Sequence, residues 1–160
     1  MTSIRLRLNG ANLAEDVAPR LSLADFLRDR HDLTATHLGC EHGVCGACTV
    51  LVDGMPARAC LMLAAACDDR QIHSREGLRD DPIIAALRDS FHRRHAVQCG
   101  FCTPGMLISA RDLIQRGRAG SEAEIRAGLS GNLCRCTGYT NIVSAIAEAA
   151  QSVGAQGKTS

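Results

Sequence analysis

Aromatic side chains are scarce in this chain of 160 residues, which contains no Trp, one Tyr and three Phe. The hydrophobic core must therefore be built from Leu, Ile, Val, Ala and Met. Each half of the chain, taken alone, is close to the size at which such a core is only marginally stable. Bound metal can supply the missing stability, because ligation of the metal is coupled to folding.

The chain also lacks an excess of charge of either sign, since 18 basic residues are matched by 17 acidic ones for a net charge of +1. This balance gives no electrostatic reason to expect binding to nucleic acid or to an anionic membrane surface. The sequence has no apolar run of about 18 residues, so we expect no membrane span. Its first ten residues alternate polar and apolar side chains and lack the features of a secretory signal. We therefore expect a soluble, cytoplasmic protein.

Cysteine, by contrast, is abundant, with nine residues in the chain. A reducing cytoplasm disfavours structural disulfides and favours metal or redox roles for closely spaced thiols. Eight of the nine fall into two sets of four, the first being Cys40, Cys45, Cys48 and Cys60 and the second Cys99, Cys102, Cys134 and Cys136. The ninth, Cys67, lies in an apolar stretch, and we interpret it as a small buried hydrophobic residue.

The first set has the spacing C-x4-C-x2-C followed by a more distant cysteine, which is typical of the loop of a plant-type [2Fe–2S] ferredoxin. Glycines between the cysteines allow the backbone to approach a cluster closely and to point N–H groups at it. Zinc is the alternative metal, but zinc sites usually combine two short C-x2-4-C motifs. His42 lies inside this loop. Because a Rieske centre needs two histidines in place of two cysteines, we interpret His42 as a surface or hydrogen-bonding residue.

The second set has a different spacing, C-x2-C and then, after a long interval, C-x-C. Cys99 and Cys102 directly precede Thr103-Pro104, where a helix is predicted to begin, and a helix N-terminus favours anionic groups such as thiolates. Arg135, between Cys134 and Cys136, adds positive charge. On spacing alone, this set indicates iron less strongly than the first set, and zinc stays open as its metal.

The pattern of apolar and turn residues predicts an α+β protein. Residues 3–9, the turn Asn9-Gly10 and residues 13–17 predict a β-hairpin, and residues 49–58 predict a second one around Asp53-Gly54. Ser22 is expected to cap an intervening helix that runs to about residue 30. Residues 71–73 are expected to add a short strand at the edge of the sheet. With the cysteine loop, these elements describe a β-grasp (plant-type ferredoxin) domain over residues 1–77.

Residues 78–153 lose the strand-like alternation and predict four amphipathic helices that pack as a four-helix bundle. The helices are expected to end near residues 95, 117, 129 and 153. The predicted starts are Asp81 before Pro82, Thr103 before Pro104, Ser121 with Glu124 as a capping box, and Thr140 or Asn141 as the last cap. Residues 154–160 have little apolar surface to bury and are expected to form a flexible tail.

Three motifs in this order carry a resemblance to a known family. They are GCEHGVCGACTV at residues 39–50, QCGFCTPGM at residues 98–106 and GNLCRCTGY at residues 131–139. With them the whole chain resembles the small iron–sulfur subunit of the molybdenum hydroxylases, the xanthine oxidase family. One departure is Asp68-Asp69-Arg70, where relatives often have a turn that contains glycine.

The resemblance implies one [2Fe–2S] cluster in each half of the chain, held by the two cysteine sets. It also implies a relay of electrons from molybdopterin on a large partner subunit to FAD on a medium partner subunit, in a dimer of heterotrimers. Gln98 and the ligand Cys136 would approach the pterin, although Gln98 could instead form only local hydrogen bonds. The chain itself would have no catalytic residue. The alternative is an iron–sulfur or zinc protein that acts alone as a redox carrier or sensor, and the substrate of the complex stays open.

Overall fold

The computed structural model describes residues 1–156, and its first half is organised around one five-stranded mixed sheet. The strand order is β2-β1-β5-β3-β4. The strands are β1 (Thr2–Leu8), β2 (Ala11–Val17), β3 (Thr49–Val52), β4 (Met55–Arg58) and β5 (Gln71–His73). Both predicted hairpins are present. Their turns have the positive φ angles that a type I′ turn requires, at Asn9 and Gly10 and again at Asp53 and Gly54.

The position of β5 corrects one prediction, because residues 71–73 do not lie at the edge of the sheet. β5 pairs in parallel with β1 and antiparallel with β3, and so joins the two hairpins at the centre of the sheet. Ile72 is completely buried there. Asp69 precedes the strand with a φ of 57°, a left-handed conformation that glycine adopts more readily. Asp69 thus adopts at this turn, without a glycine, a conformation that glycine favours.

The short helix after the first hairpin begins as predicted, with the Ser22 hydroxyl accepting a hydrogen bond from the Asp25 N–H. Its α-helical part, α1, covers only Leu23–Asp25 and continues as a π-helical turn over Phe26–Arg30. Phe26 and Leu27 are fully buried against the sheet. The predicted extent was correct, but the regular α-helical geometry was not.

The second half consists of four helices connected by loops, and no helix within residues 1–156 is long and apolar enough to cross a membrane. Asp81 and Ser121 cap two of them through their side chains, as predicted. The helices are α2 (Pro82–Arg93), α3 (Thr103–Gln115), α4 (Glu122–Gly128) and α5 (Thr140–Gln156).

The last helix differs from its prediction at both ends. Neither Thr140 nor Asn141 is the cap, because α5 already includes both, and the Asn141 side chain instead donates to the His95 carbonyl. α5 extends to Gln156 and takes in part of the predicted tail. The rest of that tail, residues 157–160, lies outside the described residues.

Two hydrophobic cores sit on opposite sides of β3. Val50 and Val52 belong to the core between the sheet and α1, whereas Leu51 belongs to the core of the helices. All four residues of β3 are buried for this reason. β3 and the cysteine loop before it therefore lie directly against α3. The proposed division near residue 77 stays a prediction.

Candidate iron–sulfur centres

The first cysteine loop is curled by residues in the left-handed region of backbone conformation. Glu41, Gly43 and Gly46 have φ angles of 55°, 83° and 74°. The curl turns the Cys45 N–H toward the Cys40 sulfur, at an N···S distance of 3.3 Å. This hydrogen bond, followed by one from the His42 backbone, lowers the pKa of the Cys40 thiol to about 6. The loop thus favours a thiolate at Cys40, as ligation of a metal requires.

The other two thiols of the first set are Cys48, which is buried, and Cys60, which follows the second hairpin and is half-buried. Burial, followed by the neighbouring Cys48 thiol, raises the pKa of Cys60 to about 11. Such a thiol keeps its proton until a metal cation replaces it, which couples metal binding to proton release.

The second set is divided in the same way into two pairs of thiols. Cys102, directly before α3, lies beside Cys134, and burial, followed by the Cys134 thiol, raises the pKa of Cys102 to about 12. Cys99 and Cys136 form the other pair, with their sulfurs 3.5 Å apart, and both are exposed. The second centre therefore has an inner pair against the helical core and an outer pair at the surface.

The pairing of the thiols fits a two-iron cluster at each centre. A [2Fe–2S] cluster needs two thiolates on each of two irons, whereas one tetrahedral zinc ion needs four donors converging on a single point. Among residues 1–156, no three Cys, His, Asp or Glu side chains converge closely enough to hold a single metal ion. The assignment of the eight cysteines as ligands remains a prediction that this geometry favours.

Tyr139, the single tyrosine of the chain, fixes the backbone beside Cys134. Its hydroxyl accepts a hydrogen bond from the Cys134 N–H at 2.8 Å and donates to the Asn132 carbonyl at 3.2 Å. The Thr137 hydroxyl lies 3.1 Å from the Cys134 sulfur. These contacts fix the position of the C-x-C segment.

The two cysteine loops are hydrogen-bonded directly to each other. The Leu133 N–H donates to the Cys45 carbonyl at 2.8 Å, which joins a residue beside Cys134 to a cysteine of the first set. Arg58 donates to the Gly131 carbonyl at 2.6 Å from the end of β4. Arg58 could not be predicted as a site residue, because nothing in its local sequence shows that β4 ends beside a loop 73 residues away.

Phe101 makes a further connection between the loops. Its ring stacks on His37 at a centroid distance of 4.7 Å, and its carbonyl lies 2.7 Å from the His37 Nδ1 atom. A Cβ atom placed on Gly39 would lie 3.3 Å from both the Phe101 ring and the Cys45 sulfur. The aromatic ring of the second loop therefore lies next to the first centre.

The remaining candidate residues lie outside the two sets of thiols. Gln98 is exposed in the loop between α2 and α3, directly before Cys99, and Arg135 is exposed between its two cysteines. His42 is exposed and hydrogen-bonds the Cys40 carbonyl, in agreement with its interpretation as a surface or hydrogen-bonding residue. Cys67 is completely buried in the core of the first half, and burial raises its pKa, as expected of a small hydrophobic residue.

Comparisons with known proteins place both halves in described families. Residues 6–78 match the 2Fe-2S iron-sulfur cluster binding domain, and residues 74–147 match the [2Fe-2S] binding domain. The chain is 51% identical to the caffeine dehydrogenase subunit gamma of Pseudomonas sp. (strain CBB1) over 146 residues, which cover 89% of this chain and 87% of that one. The chain belongs to the small iron–sulfur subunits of the molybdenum hydroxylases.

Two further relatives extend the comparison. The nicotine 6-hydroxylase small subunit of Paenarthrobacter nicotinovorans is 48% identical, with 94% of this chain and 91% of that one covered. In the crystal structure of quinoline 2-oxidoreductase from Pseudomonas putida 86, one chain is 46% identical, has a TM-score of 0.90, and matches 99% of this chain and 98% of its own length. As the iron–sulfur subunit of an oxidoreductase complex, this chain carries [2Fe–2S] binding domains and serves electron transfer.

Proposed function

We propose that this chain carries electrons through two [2Fe–2S] clusters, from molybdopterin on a large partner subunit to FAD on a medium partner subunit. The proposed assembly is a dimer of heterotrimers that works in the cytoplasm. The observation that carries the proposal is the arrangement of eight thiols as four pairs in two centres, whose loops at residues 45 and 133 are hydrogen-bonded to each other. Such an arrangement suits two clusters that exchange electrons, and it offers no site for chemistry on a substrate.

Each bound cluster would supply a one-electron redox centre, and the chain's own residues hold it. In the first centre, Cys40 and Cys45 form one pair and Cys48 and Cys60 the other. In the second, Cys102 and Cys134 form the inner pair, while Cys99 and Cys136 form the outer one. We propose that residues 1–77 form the β-grasp domain of the first cluster and that residues 78–153 form a four-helix bundle around the second.

The exposure of the outer pair supports the proposed direction of the relay. Cys99 and Cys136 reach the surface beside Gln98, so a pterin on the large subunit could contact this side of the second centre. Val97, two residues before Cys99, is 44% exposed and offers apolar surface to a partner. We propose that Gln98 and Cys136 face the pterin and that the first centre faces the flavin.

Metal and sulfide analysis tests the cluster content. The purified chain should hold four irons and four acid-labile sulfides, since we propose a two-iron cluster in each of the two segments that match a [2Fe–2S] binding domain. Zinc, or half of that iron, would contradict the proposal and favour a protein that acts alone. The chain should also co-purify with two larger subunits and show no turnover without them. Native mass measurement of the purified complex tests the dimer of heterotrimers.

Paramagnetic resonance of the assembled complex tests the direction. Mo(V) should show magnetic coupling to one cluster, and that cluster should persist when Cys45→Ser removes the first one. Gln98→Ala should remove a hydrogen bond worth about 0.5 to 1.5 kcal/mol and slow the exit of electrons from molybdenum, while reactions on the flavin side continue. If the coupled signal disappears with Cys45→Ser, the proposed direction is reversed.

The names of the relatives support a finer proposal on the substrate of the complex. Caffeine, nicotine and quinoline, which name three relatives, are all nitrogen heterocycles. We propose that this complex also oxidises a nitrogen heterocycle. Assays of the purified complex with methylxanthines, pyridines and quinolines, against simple aldehydes as the control, test the proposal. Turnover of the aldehydes alone would contradict it.

A further inference from the structure

We propose that Asn132 is a positioning residue that sets the separation between the two clusters. The inference rests on the proposed function, because it assumes a cluster in each cysteine loop. Asn132 lies two residues before Cys134 and is only 3% exposed. Its side chain reaches across to the first loop, so one amide group contacts both loops.

The amide of Asn132 has a hydrogen-bond partner at each end. Its Nδ2 atom donates to the Gly46 carbonyl at 3.2 Å, and its Oδ1 atom accepts from the Ser109 hydroxyl at 2.8 Å. A carbonyl can only accept, so the amide must direct its NH2 group at Gly46. Ser109 belongs to α3, the helix that directly follows Cys102. The amide therefore links α3 and the second loop to the residue that follows Cys45.

A second set of hydrogen bonds also includes the Gly46 carbonyl. The Thr49 hydroxyl donates to the Gly46 carbonyl at 2.6 Å and accepts from Arg58 Nη1 at 2.7 Å. The other end of the same guanidinium group donates to the Gly131 carbonyl at 2.6 Å. We call these residues, Arg58, Thr49, Asn132 and Ser109, the clamp. It connects residues 46 and 49 of the first half with residues 109 and 131 of the second.

The two loops are in close contact where the clamp holds them. A Cβ atom on Gly46 would lie 2.3 Å from the Gly131 carbonyl oxygen, so any side chain there would force the loops apart. Beside this contact lies a cavity of about 400 Å³ that Arg58, Ser109 and Asn132 help to line. Without the Asn132 amide, water from this cavity can solvate the Gly46 carbonyl, and the loops lose a constraint on their separation.

The separation between the two clusters matters because electron transfer and magnetic interaction between them both depend steeply on it. Electron tunnelling falls exponentially with the distance between redox centres, and the magnetic dipolar interaction between two reduced clusters falls with its cube. A change of the clamp should therefore alter both processes while each cluster keeps its own ligands. None of the clamp residues belongs to the eight candidate ligands, so their side chains can be changed without removing a thiol.

The experiment uses the full-length chain loaded with iron and reduced with dithionite, and needs no partner subunit. Asn132→Ala should retain four irons and the separate resonance of each cluster, while the spin–spin splitting between the two clusters decreases. Ser109→Ala leaves the donor to Gly46 in place and should change the splitting less. Arg58→Met removes the other arm of the clamp, so it should also decrease the splitting. If Asn132→Ala loses iron, the splitting measured in Arg58→Met decides whether the clamp sets the separation between the clusters.

Arg111→Met is the matched control, because it removes the ion pair between Arg111 and Asp81, with a 2.7 Å N···O distance, and leaves the hydrogen bonds of the clamp in place. It should lower stability without changing the splitting. Unchanged splitting in both Asn132→Ala and Arg58→Met, with four irons present, would overturn the role of the clamp. An equal decrease in Arg111→Met would also overturn it. Fewer than four irons in the unmodified chain would instead contradict the proposed function.

Discussion

Gly105 provides a sharp test of how closely the two centres are packed together, because two physical effects predict opposite signs for Gly105→Ala. Gly105 lies in the first turn of α3, where alanine would favour the helix by up to about 1 kcal/mol. Its added Cβ, however, would lie 2.3 Å from the Gly46 carbonyl oxygen and 3.1 Å from that of Ala47. The obstacle is backbone, which a rotamer change cannot move.

The size of the destabilisation by Gly105→Ala follows from the distance by which the new Cβ must displace the first cysteine loop. A carbon–oxygen contact normally needs about 3.3 Å, so α3 and the first cysteine loop must separate by about 1 Å. Overpacking of this kind costs about 1 to 3 kcal/mol, which exceeds the gain in helix propensity. We expect a net destabilisation of about 1 to 2 kcal/mol, and a fall in the Tm of the iron-loaded chain of about 2 to 8 °C.

Gly128→Ala is the matched control, because Gly128 is also a helical glycine with an obstructed Cβ position. There the nearest atoms are the two terminal methyl carbons of Leu113, which a change of rotamer can move. We expect its Tm to stay close to that of the unmodified chain. Differential scanning calorimetry on both variants measures the difference. A rise in Tm for Gly105→Ala would refute the close approach of α3 to the first loop.

Three further predictions follow from the geometry. Cys45→Ser should remove two of the four irons and leave the resonance of the second cluster. The contact between the loops should survive, because the Leu133 N–H donates to the backbone carbonyl of residue 45 and not to its side chain. Loss of both signals would contradict this prediction. Asp81→Ala should cost about 2 to 3 kcal/mol in urea unfolding, since it removes a helix cap and leaves the partly buried Arg111 unpaired, whereas Asp81→Asn should retain the cap. The Arg94 guanidinium, and then Arg93, hold the pKa of Glu148 below its usual range, so its stabilising effect should be present near neutral pH and disappear as the pH falls below about 4.5. Glu148→Gln should abolish that part of the pH dependence, and an unchanged pH profile would contradict the assignment.

The sequence predicted correctly the features that depend on neighbouring residues. The turns at Asn9-Gly10 and Asp53-Gly54 and the caps at Ser22, Asp81 and Ser121 follow from local backbone chemistry, and all five are present. The spacing of the cysteines identified two separate sets for a comparable reason. A loop with C-x4-C-x2-C spacing can direct several thiols toward the inside of the loop, independently of the structure of the rest of the chain.

The predictions were wrong or missing for features that depend on contacts between residues distant in sequence. The central place of β5 in the sheet could not be read from residues 71–73, because the alternation of three residues does not say which strands lie on either side. A separate error is local, since the π-helical geometry of Phe26–Arg30 was not predicted from the helical pattern of these residues. The contact that Arg58 makes between the two cysteine loops could not be predicted, because its partner, the Gly131 carbonyl, lies on a loop of the other half.

The sequence by itself determined the kind of centre and the family, because ligand type, spacing and turn chemistry are properties of short segments. Only the tertiary structure decided which thiols form a pair, which pair reaches the surface, and how the two loops are held together. Those features arise from packing β3 and its cysteine loop against α3, which brings Gly46 beside Asn132 across 86 residues of chain. Contacts of that range depend on the burial of both cores at once, and no local pattern in the sequence encodes them.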